Sequence, residues 1–535
     1  MPYKKYSGLL LFVILLVFIL IQIPNLDFLL PDFAVEDEMV AVNGFYQLAA
    51  FDFKGGAFYK YPGLLFWLLA FAFYPAYLVY NFKTLIHLKG LYDLKFFLSH
   101  PSLPEPSAVY LGRVESLLAG IAAVWIFYKI FSKKIGERPS LIASLVLISS
   151  PAWLFSSSVL KNDTYLLCAV LVLIHACFEI AQKARSRDYL LAGFALGLCL
   201  AAKYHVFALV PVMVAHWLSK SGMPFAKKIF NAKLVSSLAL AAVVFCVLSP
   251  AQLLHPFKTI SSLGLEMAIQ TQSLPLFKAS NQLWYQLPML FQLLCAFPLA
   301  MGIIAYLLAA AGLLFVRKSF AKNDLLIFLS YPVFLFLIFS GLTRLGYPHL
   351  YLPMVPFLAV PAGVFIDRLL AKNIILKTTG VVLIAASVLF NVFAFQRLNR
   401  CQSLLIEESF AQTAKLGDHK NKTAAFFPYR PLAGSKYQQD FAFFPQFLLT
   451  EQWLEQNHPE KILVHQTFFL AYLNHPEIES RAGLGFEALV QGRAGYRLEK
   501  EWDAELKWAK FYKYLFPDLK NLSVGLYRST SWSGP

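Results

Sequence analysis

Apolar runs long enough for membrane helices follow one another from the N-terminus to residue 395. They are 8–24, 61–82, 108–130, 139–157, 162–182, 189–219, 233–250, 287–316, 324–342, 347–368 and 373–395. A spanning helix needs about 20 predominantly apolar residues, so the pattern predicts an all-α polytopic membrane protein. After residue 395 the pattern changes. The tail is mostly polar, with strand-like runs at Thr423–Phe427, Lys461–His465 and Leu522–Tyr527 and helix-like runs at Phe444–Gln456 and Asp503–Tyr514. That alternation predicts a small α/β domain over 401–535. No internal repeat stands out.

Basic residues between the runs mark the cytoplasmic loops. They are Lys129, Lys133, Lys134 and Arg138; Lys183, Arg185 and Arg187; Lys220, Lys227, Lys228 and Lys233; Arg317, Lys318 and Lys322; and Arg368, Lys372 and Lys377. Two consequences follow. Run 189–219 has both ends inside, so it must be two short helices turning near Lys203-Tyr204-His205. Run 61–82 has both ends outside, and its aromatics suit a helix lying at the outer interface; a simple crossing is the alternative. The first run follows Lys4 and Lys5 and has no small-residue cleavage site, which reads as a retained anchor. The scheme predicts about eleven crossings for helices of spanning length. The N-terminus is cytoplasmic, 25–107 and 251–286 form the large outer loops of a transmembrane domain over 1–400, and the C-terminal domain is extracytoplasmic.

Composition agrees with this class. Of 535 residues, 58% are hydrophobic, 50 are Phe and only 15% are charged, against about 25% charged in soluble domains. The net charge of +16 is accounted for by inside loops, and no basic run with interleaved aromatics points to nucleic acid. Cys168, Cys177, Cys199, Cys246 and Cys295 sit in apolar runs without metal-ligand spacing, and Cys401 alone cannot form a disulfide within the tail.

Against that background the outward-facing polar residues stand out. Glu36-Asp37-Glu38 follows the first run, where carboxylates are costly unless they meet water or a cation. Asp163 begins a run at its outer end. Lys203 and His205 sit at the turn of the short helix pair, and Arg113 and Glu115 lie near the start of another run. Arg344, Tyr347, His349 and Tyr351 fall within Thr343–Pro353, and Trp284 and Tyr285 close the second outer loop. Each has a plain reading: a solvated loop for the triplet, snorkelling for the cations, a helix cap for Asp163. His100, His255 and His349 lack metal-ligand spacing. Taken together, acids on the outer loops with cations at the membrane edge suit an anionic lipid head group. Arg and Lys would hold phosphate, and a carboxylate would act on an acceptor.

Several of these segments, in this order, resemble the GT-C glycosyltransferases, in particular the branch of protein O-mannosyltransferases and lipid A aminoarabinose transferases (glycosyltransferase family 39-like). The resemblance covers most of residues 1–400. Asp37-Glu38 is placed like that family's acidic pair. Tyr61-Pro62-Gly63-Leu64 resembles its juxtamembrane element, Tyr110–Val114 with Leu118-Ala119-Gly120 its arginine-bearing helix start, and Ser150-Pro151 through Lys161-Asn162-Asp163 its second acidic site. Gly193–Lys203-Tyr204 resembles its glycine-rich helix ending in Lys, and Arg344 through Pro353 its late arginine, tyrosine, proline motif. The Tyr-Pro-Gly element and the long stretch Lys83–Ser107 depart from the pattern.

The resemblance implies inverting transfer of a sugar from a polyprenyl-phosphate donor to an acceptor at the outer membrane face. Asp37 would take the acceptor proton, with Glu38 or Glu36 assisting, and Asp163 would orient a cation or the sugar. Lys203 and Arg344 would hold the donor phosphate, with Arg113 and His349 in support. Tyr61, Tyr204, Tyr347, Tyr351, Trp284 and Tyr285 would contact substrate or lipid. No metal-ligand cluster is evident; carboxylates beside phosphate can hold a divalent ion, but the resembled branch does not require one. The acceptor, whether protein, lipid or glycan, stays open. A bacterial inner membrane suits such a donor. A lipid-linked-sugar transporter would show pseudo-symmetric halves, and a non-catalytic scaffold would tolerate loss of Asp37.

Overall fold

The computed structural model describes residues 3–88, 90–220, 222, 224, 229–271, 288–342, 348–416, 423–427, 429–432, 435–437, 439–444, 449–466, 481–505 and 521–530. Among these, six helices are long and apolar enough to cross a membrane: Tyr6–Asn25, Glu105–Ile135, Asp163–Lys183, Lys322–Ser340, Leu350–Leu370 and Ile374–Leu416. Two bent pairs raise the count to eight: Glu137–Ser149 with Pro151–Ser158 at 63°, and Gln292–Met301 with Ile303–Val316 at 116°. The shorter apolar helices are Leu64–Tyr80, Val206–Ser219 and Ala232–Leu248. Among the described residues six to eight spans thus pass by length and composition, and the expected eleven crossings are not confirmed. Two of the apolar runs are broken, one where Pro151 opens a new helix and one where Gly302 takes φ +82°.

One break falls where charge placed it. The Ser186–Lys203 helix ends at Lys203, Tyr204 takes a left-handed conformation at φ +49°, and after a 3-10 turn at Val206–Ala208 the Leu209–Ser219 helix leaves. The Ser186–Lys203 helix packs closely on Ala232–Leu248 through small residues. A Cβ at Gly193 would lie 2.2 Å from the Ser237 carbonyl oxygen, and one at Gly197 2.6 Å from Val244 Cβ. Small residues at i and i+4 let membrane helices approach in this way.

The helix Ile374–Leu416 carries the chain from the bundle into its C-terminal part. There β2 (Thr423–Phe426), β4 (Phe441–Phe444), β5 (Lys461–His465), β6 (Tyr496–Glu505) and β7 (Asn521–Ser529) form one mixed sheet in the order β4-β2-β5-β7-β6. The three runs read as strands are strands. The two helical runs need correction. Phe444 ends β4, and the helix is Glu451–Asn457, capped by Thr450 Oγ1 accepting from Trp453 N at 3.0 Å. Asp503–Glu505 belongs to β6, because pairing with β7 outweighs local helical preference; the rest of that run lies outside the described residues. A separate short ladder joins β1 (Phe33–Val35) to β3 (Tyr429–Pro431). It ties the segment just before the acidic triplet to the C-terminal part.

Candidate active site

The helix Glu36–Ala49 starts at the acidic triplet, directly after β1. Glu38 is its third residue, and its Oε2 accepts from Val35 N at 3.0 Å, closing the helix N-terminus. The same carboxylate is fully buried against Arg113. Arg113 Nε donates to Oε1 at 2.7 Å and Nη2 to Oε2 at 2.8 Å, while Leu160 N donates to Oε1 at 3.0 Å. Arg113 Nη1 donates to the carbonyls of Leu26 and Phe28 at 2.9 and 2.7 Å. A forked, desolvated pair of this kind is a structural clamp. Arg113, expected at the donor phosphate, and Glu38, expected to assist a base, are thus brought together as one fully buried pair.

Asp37 meets the same segment as Glu38, one residue beyond Leu160, and is more open. Its Oδ2 lies 2.9 Å from Lys161 Nζ, with the aspartate side chain 26% exposed and the lysine 7%. The Lys161 ammonium also lies 5.5 Å from the centroid of the Phe155 ring, within cation–π range. Sequence reasoning gave Lys161 no role, although its place two residues before Asp163 was the available signal. Asp163, the first residue of its helix, meets Lys203: Nζ to Oδ1 is 2.6 Å, and the lysine stays 29% exposed. The cap position belongs to Asn162, whose Nδ2 donates to the Ala202 carbonyl at 2.7 Å. A carboxylate in this first turn also suits the helix dipole.

The turn at Lys203–His205 is stitched to neighbouring elbows. Gln252 Nε2 donates to Tyr204 Oη at 2.8 Å and to the Phe58 carbonyl at 2.6 Å. Gly63 N donates to Ser249 Oγ at 3.1 Å, and Trp67 Nε1 to the Leu248 carbonyl at 3.2 Å. Tyr61 is half-buried at the mouth of that elbow. His205 Nε2 shares a hydrogen bond of 2.7 Å with Tyr331 Oη.

Arg344, Tyr347, Trp284 and Tyr285, also expected at the site, lie outside the described residues. His349 is described in its backbone only, within the 3-10 segment Pro348–Met354. Tyr351, expected to touch substrate or lipid, is fully buried, and Phe297 and Phe339 meet its ring edge-on at 5.5 Å each. It is a core residue because the 3-10 segment turns it inward. Among the described residues, no three of His, Cys, Asp or Glu gather as a metal site would need.

Comparison with known proteins bears on this arrangement. Residues 110–251 match the family model for dolichyl-phosphate-mannose-protein mannosyltransferase, a stretch that includes Arg113, Lys161, Asp163 and Lys203. No curated protein matches the chain. Among solved structures, the oligosaccharyltransferase of Archaeoglobus fulgidus in complex with Zn and sulfate aligns over 89% of this chain and 70% of its own, at 11% identity and TM-score 0.52. AglB from the same organism, in complex with an inhibitory peptide and a dolichol-phosphate, aligns over 99% and 89%, at 10% identity and TM-score 0.51. ArnT from Cupriavidus metallidurans bound to undecaprenyl phosphate aligns over 98% of both chains, at 13% identity and TM-score 0.48. At such identities the structural likeness is one of fold. The protein is thus an integral membrane protein built on the fold of the archaeal oligosaccharyltransferase. Over residues 110–251 the chain is similar to the dolichyl-phosphate-mannose-protein mannosyltransferases.

Proposed function

We propose that this protein transfers a sugar from a polyprenyl-phosphate-linked donor to an acceptor nucleophile at the outer membrane face. The observation that carries the reading is the convergence of the Asp37–Lys161 and Asp163–Lys203 pairs, supplied by three segments far apart in sequence and backed by the buried Glu38–Arg113 clamp. In each pair one group is partly open and its partner buried: the Asp37 carboxylate over Lys161, and the Lys203 ammonium over Asp163. The match to a family named for a dolichyl-phosphate sugar donor supports the donor class.

In this reading the acceptor oxygen attacks the anomeric carbon from the face opposite the phosphate. A carbon–oxygen bond forms, the bond to phosphate breaks, and the configuration inverts. The acceptor proton passes to Asp37. The leaving group is a phosphate monoester with a second pKa of about 6, so it departs without a protein acid once cations offset its charge. Lys203 supplies that charge, and Arg344 is assigned the second contact on the resemblance. Lys161 directs the Asp37 carboxylate, and Asp163 holds the Lys203 ammonium in place. Tyr204, fixed by Gln252, forms part of the wall. The N-terminus is cytoplasmic, and the C-terminal part faces the outer compartment of a bacterial inner membrane.

The test is transfer of radiolabelled sugar from undecaprenyl-phosphate-linked donors in membranes, comparing wild type with Asp37→Asn at matched expression. The expected loss is on the order of 10²–10⁴-fold, the usual worth of a general base. Equal transfer by both proteins would remove Asp37 from that role. No transfer with any donor, together with a positive lipid-flipping assay, would replace the enzyme with a transporter.

A further inference from the structure

The segment before Asp37 is held from two sides. On the bundle side, Arg113 grips the carbonyls of Leu26 and Phe28 as well as Glu38. On the C-terminal side, β1 pairs with β3 in antiparallel register, Ala34 opposite Arg430. Leu432 N donates to the Asp32 carbonyl at 3.0 Å. Asp32 Oδ1 accepts from Ser435 Oγ at 3.1 Å and from Lys436 N at 3.3 Å, and Lys436 Nζ lies 3.4 Å from its Oδ2. Phe33, 1% exposed, is inserted among rings of the C-terminal part: Phe410 at 4.9 Å, Tyr437 at 5.6 Å and Phe443 at 6.1 Å between centroids. Only Ala34, Val35 and Glu36 separate this anchor from Asp37.

We propose that the C-terminal part is a positioning module for the active site, acting through Asp32 and Phe33 to fix where Asp37 presents its carboxylate. This rests on the transfer reading above for its catalytic consequence, but not for its structural one. Lever length is the physical reason. A strand of three residues running straight into a helix transmits displacement at its anchor with little loss, and misplacement of a reacting group by ~1 Å can cost on the order of 10²-fold in rate. Asp32 and Phe33 are positioning residues, because both act through the backbone of β1.

The experiment has two readouts. The first is labelling of Asp37→Cys by a membrane-permeant maleimide, alone and combined with Asp32→Ala or Ser435→Ala. Release of the anchor should speed labelling several-fold while leaving labelling of Arg187→Cys, in a distant loop, unchanged. The second is steady-state transfer from the undecaprenyl-phosphate-linked sugar on which wild type is active. Asp32→Ala should lower kcat with donor KM within about twofold, the mark of lost transition-state placement. Asp32→Asn keeps the Oδ1 acceptor and should restore both. Unchanged labelling and unchanged kcat in Asp32→Ala overturn the proposal. Should Asp32→Ala fail to accumulate, Ser435→Ala decides by the same two readouts: it removes the hydroxyl that donates to Asp32 Oδ1 and accepts from Tyr437 N, and leaves the Asp32 carboxylate with its Lys436 contacts. If wild type transfers nothing, the function reading fails, while labelling still decides whether the C-terminal part holds Asp37.

Discussion

Asp37 and Glu38 are neighbours in sequence with opposite surroundings, and their substitutions should separate accordingly. Glu38 lies fully buried in a fork with Arg113. Removing one partner of such a pair strands the other charge, at a cost of about 3–5 kcal/mol. Arg113→Ala should therefore lower the melting temperature of the purified protein sharply. Arg113→Lys should not rescue it, since an ammonium cannot supply the fork and the two carbonyl contacts at once. Asp37→Asn should melt near wild type while losing transfer; a large fall in its melting temperature would move Asp37 from chemistry to structure.

At the scale of elements, close backbone approach decides which helices meet. Leu248 O would sit 1.9 Å from a Cβ at Gly63, so the elbow that carries Tyr61 can press against the end of Ala232–Leu248 only with glycine there. Gly63→Ala should displace that elbow, disturb Gln252 and with it Tyr204, and raise donor KM. Gly193→Leu forces bulk against the Ser237 carbonyl and should destabilise by roughly 1–3 kcal/mol, as overpacking does. A melting temperature unchanged in Gly193→Leu would show that the two helices are not packed as described. Lys203 belongs to this scale as well, because its position comes from the helix break at Tyr204 and not from any property of its own run.

At the scale of the whole molecule, the β1–β3 ladder constrains topology. Two strands that hydrogen-bond to each other lie on the same side of the membrane, so the chain between residues 35 and 429 crosses it an even number of times. The charge-derived scheme, with both of these segments outside, meets that condition. Arg493→Cys, 52% exposed in the C-terminal part, should then react with an impermeant maleimide from the outer side. Arg187→Cys, 72% exposed, should react only after permeabilisation. The reverse pattern would invert the proposed orientation and place the acidic segment in the cytoplasm.

The sequence by itself determined the class, the helical bundle, the turn at Lys203–His205 and the three strand runs of the tail. It also singled out Asp37, Asp163 and Lys203. These are local signals: hydropathy over about 20 residues, basic residues beside a run, and alternation over a few positions. Only the tertiary structure decided which charge meets which. Glu38 and Arg113 stand 75 positions apart, and nothing in either neighbourhood distinguishes an arginine held for phosphate from one held by a carboxylate. The same limit hid Lys161 as the partner of Asp37 and Tyr351 as a core residue, and it assigned Asp503 to a helix. Strand pairing and ion pairing are satisfied across space, by partners that packing brings together, and a one-dimensional pattern carries no record of that distance.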